Sequence, residues 1–357
     1  MSLQAPRAVT IIDVAKEAGV SFKTVSRVLN NEASVSDRTR ERVQQAIKAL
    51  EYSPSVAARV LAGNRSFLIG LIYDTPSSYY THSIQMGALE RCRAAGYHLI
   101  LERCNSQARD VADVILALVR QTRMDGVILT APVTDNPAVR KALTKHNIPH
   151  VLISPPKIEP RTNCVHWDNR EAARELTQYL ISLGHKRIAF IKGHPRHGAA
   201  KLRLLGYEDA LRQNAIKPDA ALLREGTFRF ESGAAAADAL LRLNLPPTAI
   251  IAANDEMGAG AVTAAHRLGL AIPGDVSVAG FDDVPYASIT WPPLTTIHQP
   301  IVDMGAAAAQ ILLDQTRPNG PAQAFSAVSF NYTMKIREST GPAKRDQVVR
   351  GRATKTP

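Results

Sequence analysis

No stretch of the 357-residue chain is apolar over the ~20 residues that a membrane-crossing helix demands. The opening residues, MSLQAPRAVT, hold no hydrophobic segment of the secretory kind, so a cytoplasmic location is expected. Cysteine is scarce. Cys92, Cys104 and Cys164 are odd in number and lack metal-ligand spacing, so they read as buried or incidental thiols of a reducing compartment. Aromatic residues make up only 5% against 45% hydrophobic, so the core must be aliphatic, as in α/β proteins with Val/Ile/Leu strands. There is no P-loop, no G-x-S-x-G and no triad or ligand set among the scattered histidines, so neither an enzyme nor a cofactor is expected. Acidic residues are outnumbered, 32 against 43 Lys and Arg, for a net charge of +11. That favours a polyanionic partner without choosing nucleic acid over membrane.

What chooses is residues 9–30, VTIIDVAKEAGVSFKTVSRVLN. Ile12, Val14, Ala15 and Ala18 form the apolar face of one short helix, with Thr10 ahead of it as the N-cap. Gly19 sits where the chain must reverse. Ser21 caps a second helix, with Val25, Val28 and Leu29 inward and Phe22, Lys23, Thr24, Ser26 and Arg27 outward. This is a helix-turn-helix, whose second helix can enter the major groove of DNA; the alternative is an ordinary helical hairpin. Residues 37–50 supply a third helix with Val43, Ile47 and Leu50 inside, and Tyr52 completes a small bundle.

Residues 53–66, SPSVAARVLAGNRS, read as a linker with a helix of about eight residues, capped by Ser55 and ended by Gly63. From residue 67 the composition changes. Aliphatic strands at 67–74, 97–104, 126–130 and 149–154 alternate with helices at 80–95, 109–123 and 136–146. A second set has strands at 187–193, 221–226, 249–254 and 276–282 and helices at 170–183, 198–214, 231–243 and 256–268. A strand at 295–298, a helix at 301–316 and strands near 324–330 and 332–337 follow. The fold class is α/β: two doubly wound parallel sublobes, with a ligand site in the cleft outside the carboxyl ends of the strands. The last residues, 339–357, are basic and poor in apolar side chains and are expected to be disordered.

The run DVAKEAGVSFKTVSRVLN and the organisation behind it resemble the lac-repressor-type (LacI/GalR) family of bacterial transcription regulators over nearly the whole chain. The resemblance implies a helix-turn-helix domain at 1–52, a hinge helix at 53–66 and a two-lobed effector-binding and dimerisation domain of periplasmic-binding-protein type at 67–338. Three crossovers would divide the latter into an N-sublobe, about 67–164 and 296–326, and a C-sublobe, about 165–295 and 327–338. A homodimer would bind palindromic operator DNA. Phe22, Lys23 and Arg27 would read bases, and Thr10, Ser21, Thr24, Asn30, Ser36 and Thr39 would bind phosphates. From the hinge, Ser55, Ala58 and Leu61 would meet the DNA, Leu61 as a minor-groove wedge. Ser55 replaces the family's usual Asn, which keeps the cap and puts the longer amide's contacts in question.

The same resemblance points to effector ligands at strand ends: Asp74, Tyr79 and Tyr80; Arg203; Phe228; Asn254; Asp282; and Gln299. Competing structural readings remain at several. Asp255 and Asp283 suit helix caps, Phe228 suits the core, and Arg203 with Asp282 suits an interlobe salt bridge. The polar mixture favours a neutral sugar over a purine. Lys192, Lys201, His194 and His197 on the approach leave an acid or phosphorylated sugar open. Rival functions are a periplasmic-type sugar-binding protein, which has no use for residues 9–63, and a DNA binder without an effector.

Overall fold

The computed structural model describes residues 9–29, 34–52, 65–74, 77–316 and 325–344. It divides into two compact units, Met1–Phe67 and Leu68–Pro357.

Among the described residues the first unit holds three helices: α1 (Ile11–Glu17), α2 (Phe22–Leu29) and α3 (Asp37–Ala49). Their apolar faces meet in one small core of Val14, Ala15, Ala18, Val25, Val28 and Val43, closed by Ala46 and Tyr52. Ile12 does not join it, contrary to the helical pattern; it is 56% exposed, and Ile11 packs against the core instead. With seven residues α1 has room for a narrow stripe only, and Val14, Ala15 and Ala18 fill it.

The second unit contains two six-stranded sheets. The first half of the chain runs β1 (Leu68–Tyr73), α4 (Ser78–Ala94), β2 (His98–Arg103), α5 (Val111–Thr122), β3 (Gly126–Leu129), α6 (Pro137–Lys145), β4 (His150–Ile153) and β5 (Cys164–His166). Next come α7 (Asn169–Ser182), β6 (Ile188–Ile191), α8 (Gly198–Gln213), β7 (Leu223–Arg224), α9 (Phe230–Leu241), β8 (Ala249–Ala252) and α10 (Asp255–Arg267). The chain ends with β9 (Ser277–Asp282), α11 (Pro285–Ile289), β10 (Thr295–His298), α12 (Ile301–Thr316), β11 (Ala327–Ser329) and β12 (Thr333–Lys335).

One sheet has the order β11-β5-β4-β3-β1-β2 and the other β12-β10-β9-β8-β6-β7. All pairings are parallel except β10 with β12. Helices cover both faces, so β3, β6, β8 and β9 are buried along their whole length and read as unbroken aliphatic runs. In each sheet the strand order reverses once, between β1 and β3 and between β6 and β8. There adjacent loops leave on opposite sides and open a crevice at the carboxyl ends.

Three crossings join the lobes, each a few residues later than expected. Val165 lies within β5 of the first sheet, so the first crossing follows His166. Strand β10, expected in the N-sublobe from residue 296, pairs with β9 in the second sheet. Ala327–Ser329, expected in the C-sublobe, pair with β5 in the first. Sheet membership is a matter of distant hydrogen-bond partners, which local composition does not encode. After the second crossing α12 lies on α4 at backbone contact. A Cβ on Gly87 would stand 1.9 Å from the Val302 carbonyl oxygen, and one on Gly305 2.3 Å from that of Ile84.

The chain end also departs from expectation. Ser339 and Thr340 are buried, not disordered. The Ser339 hydroxyl donates to the Val278 carbonyl (2.6 Å) and accepts from the Thr295 N–H (2.7 Å). The Ala343 N–H donates to Leu183 at 2.9 Å, and Lys344 pairs with Asp275. Low hydrophobicity misled here because this strip is held by hydrogen bonds to β9 and its neighbours rather than by apolar side chains. Residues 345–357 lie outside the described set.

Candidate DNA-reading helix and ligand cleft

Helix α2 is set by four devices. Thr10 and Asp13 form a capping box at α1: the Thr10 N–H donates to the Asp13 carboxylate at 2.8 Å, and the Asp13 N–H to the Thr10 hydroxyl at 3.4 Å. Gly19 takes φ +60 in the turn. Arg42 of α3 donates to the carbonyls of Ala18 and Gly19 and fixes that turn to the bundle. The Ser21 hydroxyl then accepts the Thr24 N–H at 3.2 Å and lies 3.0 Å from the Thr24 hydroxyl.

Val25 and Val28 are buried, so Phe22, Lys23 and Arg27 stand exposed on the other side. Lys23 and Arg27 are one turn apart and share a face. Phe22, 56% exposed, offers only an apolar ring. The hydroxyls of Thr10, Ser21, Thr24, Ser36 and Thr39 all make local bonds, the last two with each other at 2.9 Å. A hydroxyl has one donor and two acceptor sites, so capping does not exhaust it. Asn30, Ser55, Ala58 and Leu61 lie outside the described residues.

In the second unit the crevices of the two sheets form a chamber open to solvent, with about 460 Å³ of space. Six of the eight expected residues line it: Tyr80, Arg203, Phe228, Asn254, Asp282 and Gln299. Arg203 on α8 is its charged centre and is 5% exposed. Its Nε donates to Asn169 Oδ1 (2.9 Å), Nη1 to the Ala253 carbonyl and Nη2 to Asp282 Oδ1 (3.3 Å). Gln299 Nε2 donates to the same Asp282 oxygen at 2.6 Å. The guanidinium also lies over the Phe281 ring at 4.6 Å and the Trp167 ring at 5.4 Å. Arg203 and Asp282 do form a buried salt bridge, but both belong to the second lobe, so it is not the interlobe bridge considered above. Asp282 has φ +105, a strained conformation that costs about 1–3 kcal/mol and is held by its two charge-assisted partners.

Asn254 faces the chamber but has structural tasks: its Oδ1 caps α10 through Met257 and its Nδ2 donates to the Phe228 carbonyl, each at 3.0 Å. Asp255 is buried and braces the next strand end, accepting from Thr296 (2.6 Å) and the Val284 N–H (3.0 Å). Asp283 is no cap; it pairs with Arg337 (2.6 Å) and His298 (3.1 Å). Tyr79 and Asp74 fall outside the chamber. Tyr79 meets Tyr286 of the other lobe edge-to-face at 5.3 Å, and Asp74 accepts the Ser106 N–H at 2.8 Å. Among the described residues, buried polar atoms of the chamber wall without a partner include Gln299 Oε1 and His197 Nε2. Native proteins seldom leave such atoms unpaired, so both are places for a ligand's hydrogen-bonding groups.

Two family models match the chain: "Bacterial regulatory proteins, lacI family" over residues 10–55 and "Periplasmic binding protein-like domain" over residues 177–340. The HTH-type transcriptional regulator DegA of Bacillus subtilis (strain 168) is 32% identical, the match covering 93% of this chain and 98% of DegA. The chain belongs to the lacI family. The ribose operon repressor of Escherichia coli (strain K12) is 34% identical over 87% of this chain and 94% of that protein. The lac repressor dimer bound to operator and the anti-inducer ONPF superposes with a TM-score of 0.77 and 30% identity, over 94% of this chain and all of that one. The protein is therefore a DNA-binding transcription regulator and not an enzyme.

Several wall residues of this lacI-family chamber escaped the sequence reading: Ser77, Ala131, Ser154, Trp167, Asn169 and Ala199. Only Ala199 carried a signal, one turn before Arg203 on α8. Of the four basic residues expected on the approach, His194 and His197 line cavities, Lys192 pairs with Glu225, and Lys201 is exposed elsewhere.

Burial sets the protonation states. Desolvation, then His194 and Arg203, hold His197 at a pKa of about 3, so it is neutral. His150 and His185 are likewise lowered, chiefly by burial. Above the ordinary histidine pKa of about 6.5, both folded and unfolded His197 are neutral. As pH falls from there toward about 3, the unfolded chain takes up a proton that the folded one refuses, and stability is lost. Melting temperature will fall on acidification below about pH 6.5. His197→Asn will shallow that slope, the unfolded chain having one less such proton to bind. An unchanged slope in melts between pH 7.5 and 5 would show that His197 is not held neutral.

Proposed function

We propose that this regulator binds a near-palindromic operator as a homodimer, represses transcription, and is controlled by a sugar or sugar derivative in the interlobe chamber. Lys23 and Arg27 donate to base edges, Phe22 packs on a thymine methyl, and the hydroxyls of Thr10, Ser21, Thr24, Ser36 and Thr39 meet phosphates. Asn30, Ser55, Ala58 and Leu61 are assigned to DNA on the resemblance alone. One three-helix unit covers too little DNA for tight specific binding, which is why two are needed. The similar lac repressor, seen as a dimer bound to operator, and the similar ribose operon repressor support this reading. Among the described residues no helix is long and apolar enough to cross a membrane, and the cytoplasm, with its DNA, is the proposed location.

The observation that carries the effector half is the Arg203–Asp282–Gln299 group. In it a buried guanidinium and an amide donate to one oxygen of a buried carboxylate, with Gln299 Oε1 still unpaired, beside the Phe228 and Trp167 rings. Paired donors and acceptors beside ring faces suit vicinal hydroxyls on a C–H-rich ring. Tyr80 completes the polar wall; burial, first of all, raises its pKa to about 12, so it is a neutral hydroxyl. Asn254 acts here by holding the Phe228 loop. Asp74 and Tyr79 act at the rim, Tyr79 through its contact with Tyr286.

A ligand that binds one lobe arrangement better than another shifts the population and thereby the grip on DNA. The test is fluorescence anisotropy of operator DNA, selected from random sequence by the full-length protein, titrated with a panel of sugars and sugar derivatives. The reading requires at least one to change DNA affinity at saturating concentration. A uniformly silent panel would leave the protein an effector-independent DNA binder.

A further inference from the structure

A second cavity of about 610 Å³ adjoins the Arg203 chamber, and His197 is a wall of both. Its walls come from the two lobes. Asp74 and Ser106 follow β1 and β2 of the first, and Arg103 ends β2; His194 and Arg196 follow β6 of the second. Two guanidiniums and two imidazoles thus face one carboxylate, and that carboxylate already accepts the Ser106 N–H. Among the described residues neither Arg103 nor Arg196 is in an ion pair. Glu225, which lies near His194, is taken by Lys192. Exposed arginines alone are ordinary surface. What sets these apart is their convergence, from both lobes, on a cavity whose shared wall includes His197, only 8% exposed and with its buried Nε2 unpartnered.

We infer that the outer cavity takes the anionic end, a phosphate or a carboxylate, of an effector whose uncharged ring occupies the inner chamber. The effector is then a phosphorylated or acidic sugar, an inference that rests on the sugar reading above. Arg103 and Arg196 bind the anion as forked donors, one from each lobe, so the charged end bridges the cleft. His197, neutral at the junction, donates or accepts one hydrogen bond where the ring meets its charged substituent.

Calorimetric titration of the full-length protein tests this with matched probes: glucose, glucose 6-phosphate and gluconate; ribose and ribose 5-phosphate; and inorganic phosphate alone. At least one anionic member will bind about tenfold or more tighter than its neutral parent. In the double variant Arg103→Gln, Arg196→Gln, whose melting temperature will match the wild type because both side chains are exposed and unpaired, that advantage will disappear while the neutral parent binds as before. A neutral sugar that binds as tightly as its phosphate and acid overturns this inference and leaves the sugar reading standing. Failure of every sugar overturns both. Inorganic phosphate binding as tightly as the esters overturns the idea of one ligand spanning both cavities.

Discussion

Arg27→Ala will abolish sequence-specific DNA binding and leave a weak, salt-dependent attraction. Arg27 lies on the exposed face of α2, one turn beyond Lys23, while Val25 and Val28 anchor the opposite face in the bundle. A forked contact to guanine O6 and N7 discriminates by about 1–3 kcal/mol. Two symmetric half-sites double this, so specific affinity will fall roughly 30- to 20,000-fold. Non-specific binding draws on phosphate neutralisation by all the basic residues and will persist at low salt. Gel-shift titration at fixed salt, operator against scrambled duplex, measures the difference, and a matched melting temperature confirms that the bundle is intact. If the variant keeps its sequence preference, α2 does not read bases through this face.

Arg203→Met will silence the effector response and destabilise the protein together. Arg203 and Asp282 are both nearly fully buried, and removing one partner of a buried pair typically costs about 3–5 kcal/mol because the other charge is left unpaired. The remaining support for Asp282 is the 2.6 Å bond from Gln299. Adding Asp282→Asn takes away the stranded charge at nearly constant volume. The double variant will therefore recover most of the lost stability, yet still ignore every sugar that shifts the wild type, because the groups that hold hydroxyls are gone. Denaturant unfolding of the four proteins gives the coupling, and operator anisotropy with and without ligand gives the response. A double variant no more stable than Arg203→Met would mean that the pair is not the stabilising unit; one that still responds to ligand would place the effector elsewhere.

The separation of the two effects bears on how the cleft is built. Its contents do two jobs at once. Asn254 spends its amide on the loop after β7 and the first turn of α10, and Asp255 its carboxylate on the loop after β9 and on β10. Arg203, Asp282 and Gln299 hold one another, with one amide oxygen to spare. The pKa of Asp255 is raised well above the ordinary carboxylate range, first by burial and then by the neighbouring Asp282. A chamber with so much charge under so little solvent is expensive to keep in a folded protein unless something uses it.

The sequence by itself determined everything that rests on local periodicity and local chemistry. The helix-turn-helix was legible because the Thr10 and Ser21 caps, the Gly19 turn and the Val25/Val28 stripe are each written within a few residues. The alternation of aliphatic runs and amphipathic helices sufficed for two doubly wound lobes, and the strand ends that follow from it brought out six residues that do line the chamber. Tertiary structure alone decided which lobe owns β5, β10 and β11, because pairing partners lie far away in the chain. It also decided that Ser339–Lys344 are docked by hydrogen bonds, and that Arg42 locks the turn. It set Tyr79 at the rim instead of in the chamber, and joined the loops after β1, β2 and β6 into a second, cationic cavity. Caps and stripes act over one or two turns of helix. A cleft is assembled from loops more than a hundred residues apart, and only the folded sheets bring them into hydrogen-bonding range.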